Sequence, residues 1–222
     1  ERVLTGVLEG AKGLIHGVTC GAGMPYRLAE ICARYGVHYY PIISSGRAFN
    51  ALWKRAYHKF QDWLGAVVYE DPWRRPEPPL PRVLELRRLM RAAGLDHVPI
   101  VMAGGVWHLK DWVDWIGNKD LGPIAFQFGT RPLLTKESPI PESWKRRLVE
   151  LLPGDVLLHR FSPTGFYSSA VKNDFLEELV ERSDRQVAFR PEEDAQAGFT
   201  SFFAYGRAGH GVWLTPTDHA RV

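Results

Sequence analysis

Cysteine is scarce in this 222-residue chain. Its two thiols, Cys20 and Cys32, fall one before a predicted helix and one inside it. That placement suits reduced thiols in a reducing compartment and argues against a disulfide framework. The cytoplasm is therefore the expected location. No apolar run reaches membrane-spanning length and no charged-then-apolar leader opens the chain, so neither a transmembrane helix nor a signal peptide is expected, and no membrane partner. The net charge is only +3, with no dense basic stripe to neutralise a phosphate backbone, so nucleic acid is not an expected partner. Paired Cys or His spacing is missing too: His159, His210 and His219 stand among non-ligand neighbours, and no metal site is expected. No repeat of solenoid length is present.

What is there reads as a βα-repeat protein. With 45% hydrophobic and 24% charged residues, the chain has the composition of an ordinary soluble globular protein with one sizeable core. The first two-thirds alternates short apolar runs with amphipathic stretches, as when buried parallel strands are each followed by a covering helix. The runs predict strands over Leu14–Val18, Tyr39–Ile43, Ala66–Tyr69, Pro99–Met102 and Ile124–Phe128. Helices are predicted over Pro25–Tyr35, Arg47–Phe60, Pro81–Ala93 and Leu109–Ile116. The proline-rich Pro72–Pro81 is expected to be a loop. Beyond Thr135 the character changes: helices are expected at Trp144–Leu152 and Asn173–Ser183, a strand at Val156–His159, and loop over Arg190–Arg207.

Chemistry concentrates where strands end. Pro99-Ile100-Val101-Met102-Ala103-Gly104-Gly105-Val106 is followed one βα unit later by Ile124-Ala125-Phe126-Gln127-Phe128-Gly129-Thr130-Arg131. Each is a buried strand running into glycine, and glycine there lets backbone N–H groups approach an anion closely. Either motif alone reads as a tight turn before it reads as a ligand site; the pair at this spacing reverses that, matching two loops closing around one phosphate after the last two strands of a (β/α)₈ barrel. His16 reads as an interior histidine, Cys20 as a small buried thiol and His108 as a surface residue opening a helix. Trp112 and Trp115, three apart, read as one packed helix face.

The two motifs are similar to the Ala-Gly-Gly and Gly-Thr signatures of the nitronate monooxygenase (2-nitropropane dioxygenase-like) family of FMN barrels, and the resemblance spans roughly Leu14 to Glu137. It implies FMN as cofactor, with phosphate contacts at Gly104, Gly105, Gly129 and Thr130 and with Ala103 and Phe128 as backbone or van der Waals neighbours. It also implies a TIM-barrel fold in which the visible strands are the fourth to the eighth. A full barrel takes about 250 residues. The chain, which begins at Glu1 without methionine, is accordingly expected to lack its first three βα units, with residues 1–137 as the C-terminal portion of the barrel and 138–222 as an extension of mixed helix and loop.

The family's histidine lies after the sixth strand, where this sequence has Glu70-Asp71-Pro72-Trp73-Arg74-Arg75. No catalytic residue is assigned. The resemblance implies an oxidoreductase acting on a small nitronate or related anion with O2. The alternatives are an NAD(P)H-dependent flavin enoyl reductase and a non-catalytic flavin-binding or assembly subunit. The aromatic residues Phe161, Phe166, Tyr167, Phe202, Phe203 and Tyr205 of the extension are expected to pack either over the barrel or in a homo-oligomer interface.

Overall fold

Five short apolar segments pair in one parallel sheet. The computed structural model describes residues 1–21, 23–71, 78–152, 154–159, 168–188, 193, 195–196, 198–204 and 211–220. In chain order the first part holds α1 (Arg2–Gly10), β1 (Gly17–Cys20), α2 (Leu28–Tyr35), β2 (His38–Ile43), α3 (Gly46–Arg55), β3 (Val67–Tyr69), α4 (Leu80–Ala92), β4 (Ile100–Met102) and β5 (Ile124–Phe126). The strands lie in the order β1-β2-β3-β4-β5, each parallel to its neighbour. This is part of a (β/α) barrel, because consecutive parallel strands joined by helices run round one sheet without a switch in order.

The core lies between this sheet and its helices. Tyr39, Val67 and Ile100 from the strands meet Ile31, Leu52, Leu86 and Met90 from α2, α3 and α4, all buried. Local sequence sets the helix ends. Ser45 caps α3 by accepting from the Ala48 N–H at 3.2 Å, and Gly36 closes α2 at φ +66°, a left-handed conformation that favours glycine.

Arg87 of α4 is fully buried. Its Nε donates to the Leu121 carbonyl, Nη2 to Pro123 O at 2.7 Å, and Nη1 to Val98 O at 2.9 Å, with longer contacts to Asp96 O and Leu95 O. Desolvation, then neighbouring Arg91, lowers its pKa, while Asp96 opposes the shift. One guanidinium thereby ties together the segments that enter β4 and β5.

Several expectations change in detail. The first strand starts three residues later than Leu14, because residues 11–14 turn at the end of α1, with Gly13 at φ +82° and the Leu14 N–H bonded to Ala11 O. The helix expected over Arg47–Phe60 breaks at Ala56 (φ −145°, ψ −47°) and resumes as a 3-10 helix over Tyr57–Trp63, where the buried Tyr57 hydroxyl donates to Pro25 O at 2.9 Å. Leu109–Ile116 forms only a 3-10 turn over Leu109–Trp112, with the chain reversing at Gly117, φ +77°. His16 is exposed rather than interior. The Pro72–Glu77 part of the proline-rich stretch lies outside the described residues.

The chain divides into two compact units, the first extending to Ile140 and the second beginning at Pro141. The second holds α5 (Glu142–Val149), an antiparallel pair β6 (Val156–His159) and β7 (Ser168–Val171), then α6 (Asp174–Gln186) and a three-stranded antiparallel sheet of β8 (Val187–Ala188), β9 (Ser201–Ala204) and β10 (Gly211–Leu214), ending in α7 (Pro216–His219). Part of the loop expected over Arg190–Arg207 is therefore strand. Val212 and Leu214 alternate as the buried positions of β10, and Trp213 packs on Phe202 with ring centroids 5.4 Å apart. Phe161, Phe166, Tyr167, Tyr205 and His210 lie outside the described residues. Among the described residues no helix is long and apolar enough to cross a membrane.

Candidate phosphate-binding site

β4 and β5 are adjacent and in register, Ile100 opposite Ile124 and Met102 opposite Phe126. Their exit loops therefore leave the same edge of the sheet side by side. The ladder continues one step past each strand, with the Ala103 N–H on Tyr69 O at 3.0 Å and the Gln127 N–H on Met102 O at 2.9 Å. Beyond that the pairing stops. The N–H groups of Gly104, Gly105, Gly129 and Thr130 donate to nothing among the described residues, and all four residues are exposed. Unpaired donors on two adjoining loops are a seat for an oxyanion.

Gly104 and Gly105 both take positive φ, +84° and +75°, which an L side chain would resist. Gly129 has open space where a side chain would stand. Ala103 and Phe128 are half-buried on the inner ends of the two loops, and Val106 is buried and anchors the first of them. All six residues read from the sequence thus converge on one edge. On their helical side, Trp112 packs on Phe126 and on Trp115, at centroid distances of 5.3 and 5.1 Å, so this pair belongs to the packing behind β5. His108 is half-buried, edge-on to Trp107.

Two charged residues at this edge were not singled out in the sequence. Arg131, just past Gly129-Thr130, sends Nη1 back to the Trp107 carbonyl at 2.9 Å and so joins the second loop to the first. Glu70 follows β3, its N–H bonded to Ile43 O, and its side chain faces Gly104: a Cβ added there would lie 3.9 Å from Cγ and 4.0 Å from Oε1. Next to it, Asp71 is held by Arg82 at 3.1 Å, and Arg82 Nε donates to the Tyr69 hydroxyl at 3.0 Å. A cavity of about 400 Å³ opens beside the β5 loop, lined by Phe128, Arg131, Pro132, Leu134 and Thr135. No group of three metal-ligating side chains occurs among the described residues. The signal for both charges was positional: each directly follows a strand-end motif, but which way it points depends on the neighbouring strand.

No family model matches the chain, and no curated protein does. Among solved structures it is similar to FabK from Thermotoga maritima, at 18% identity and a TM-score of 0.61 over 80% of this chain and 53% of that one. A variant of the same protein superimposes at 19% identity and a TM-score of 0.59, over 82% of this chain and 55% of that one. Nitroalkane oxidase from Streptomyces ansochromogenes gives 19% identity and a TM-score of 0.54, over 79% and 49%. The chain spans about half the length of these proteins. They share its fold, the barrel that the sequence motifs point to.

Proposed function

We propose that this chain carries the phosphate-binding end of an FMN-dependent barrel oxidoreductase that oxidises a small nitronate or related activated anion with O2. The observation that carries the reading is the set of four free N–H groups on the adjoining β4 and β5 loops, at Gly104, Gly105, Gly129 and Thr130. These residues fit a phosphate: the glycines give close backbone approach, and the Gly129 side is open. Ala103 and Phe128 flank them, and the apolar cavity next to Phe128 offers room for an organic body. When bound, the flavin supplies the electron-transfer chemistry, while the protein's part is to bind and orient it. FabK and nitroalkane oxidase, the similar structures named above, support a flavin oxidoreductase of this barrel type. The free thiols Cys20 and Cys32 accord with the cytoplasm.

A second reading, a flavin-binding subunit without catalysis, is favoured by the lack of any histidine between Glu70 and Pro81. One experiment separates these readings. The full-length protein is purified, its absorption spectrum recorded, and an alkyl nitronate and then, separately, NADPH are added without air. Flavin bands that respond to nitronate support the monooxygenase. Bleaching by NADPH alone indicates a reductase instead, and a flavin unmoved by both the non-catalytic role. A colourless protein that also takes up no added FMN refutes the flavin reading.

A further inference from the structure

The Gly104–Gly105 and Gly129–Thr130 loops supply dipoles to an anion but no full charge, and the ionisable group facing Gly104 is a carboxylate. Glu70 stands about one van der Waals contact from the place a Gly104 side chain would take, so an incoming phosphate meets repulsion from that side. Arg82 of α4 is already engaged by Asp71 and the Tyr69 hydroxyl. Arg131 is differently placed. It follows the second loop directly, and its Nη1 reaches Trp107, two residues past Gly105 and so within about 7.6 Å of it along the chain. The guanidinium therefore ties the second loop to the segment that follows the first. Of its donors only Nη1 is engaged among the described residues; Nε and Nη2 are left to bind an oxyanion, and the group sits 5.6 Å from the Phe128 ring centroid, in the wall of a cavity whose other lining residues are uncharged.

We propose that Arg131 is the counter-charge of the ligand's phosphate and makes the site select a phosphorylated flavin over riboflavin. The assignment rests on the flavin reading above. It makes Arg131 a specificity residue and the glycine amides the general part of the cradle. Arg131→Gln and Arg131→Lys are titrated with FMN and with riboflavin by quenching of flavin fluorescence, with circular dichroism as the check on folding. The wild type is expected to prefer FMN. Arg131→Gln should weaken FMN about tenfold or more while changing riboflavin less than about twofold, and should flatten the salt dependence of FMN binding. Arg131→Lys should keep part of the preference. Equal losses for both flavins would reduce Arg131 to a structural clamp and overturn the proposal, as would an unchanged preference in Arg131→Gln. If the wild type binds neither flavin, the flavin reading itself fails, and this assignment with it. A wild type that binds FMN while the variants keep its preference refutes Arg131 alone.

Discussion

At the residue scale, Gly104 and Glu70 make opposed predictions for the same ligand. Gly104→Ala places a side chain at φ +84° and against the Glu70 carboxylate; it should cost about 1–2 kcal/mol of folding stability and weaken FMN, measured by thermal unfolding and by fluorescence titration. Glu70→Gln removes the carboxylate facing that glycine and should tighten FMN several-fold; weaker binding would mean that Glu70 holds the loop rather than repelling the phosphate. Cys32 sets a pH dependence. Burial, with Cys20 adding to it, pushes its thiol up to about 11. An exposed thiol in the unfolded chain ionises near about 8.5, so the unfolded state loses its proton first. The stability that Cys32 contributes is whole below that value and is lost as pH rises through the folded value. Urea unfolding at pH 8 and pH 10.5 should show a larger loss for the wild type than for Cys32→Ala. The six glycine-loop residues were legible because glycine after a buried strand has a local reason to be there. Glu70 and Arg131 were not, because their neighbours come from other strands.

Among the elements, α4 decides how β4 and β5 begin. Val83, Leu86, Arg87 and Met90 form its buried stripe, so the sequence put an arginine on an apolar face. That was a readable anomaly, but its five carbonyl partners lie 8 to 36 residues away. Arg87→Met keeps much of the volume yet leaves those buried carbonyls without their donor, and should destabilise the protein by roughly 3 kcal/mol or more, read from urea unfolding. A loss below about 1 kcal/mol would show that the carbonyls find water instead. The sequence located β2 to β6, and of these β2, β3 and β4 carry the buried residues that meet the helices. The misplaced β1 and the overlooked β7 and β9 contain no buried residue, and in the likewise overlooked β10 only Val212 and Leu214 are buried. Their hydrogen bonds come from partners in the sheet rather than from their own pattern.

For the whole molecule, the prediction concerns the two units. The Gly104–Gly105 and Gly129–Thr130 loops and the large core both belong to the unit ending at Ile140. FMN at about one hundred times its dissociation constant should stabilise that unit by about 2.7 kcal/mol through mass action. Calorimetry should therefore resolve two transitions, with FMN raising only one; a single transition moving as a whole would show that the units unfold together. The alternation of apolar runs and amphipathic stretches was enough by itself to specify parallel strands followed by helical segments, and glycine at two strand ends was enough to mark the loops proposed to hold a phosphate, because both follow from local constraints on burial and backbone freedom. Which charges face those loops, and which arginine staples the entries to β4 and β5, only the tertiary structure decided. Those contacts join residues distant in the chain, and the parallel register that brings them together is a property of the sheet rather than of any one segment.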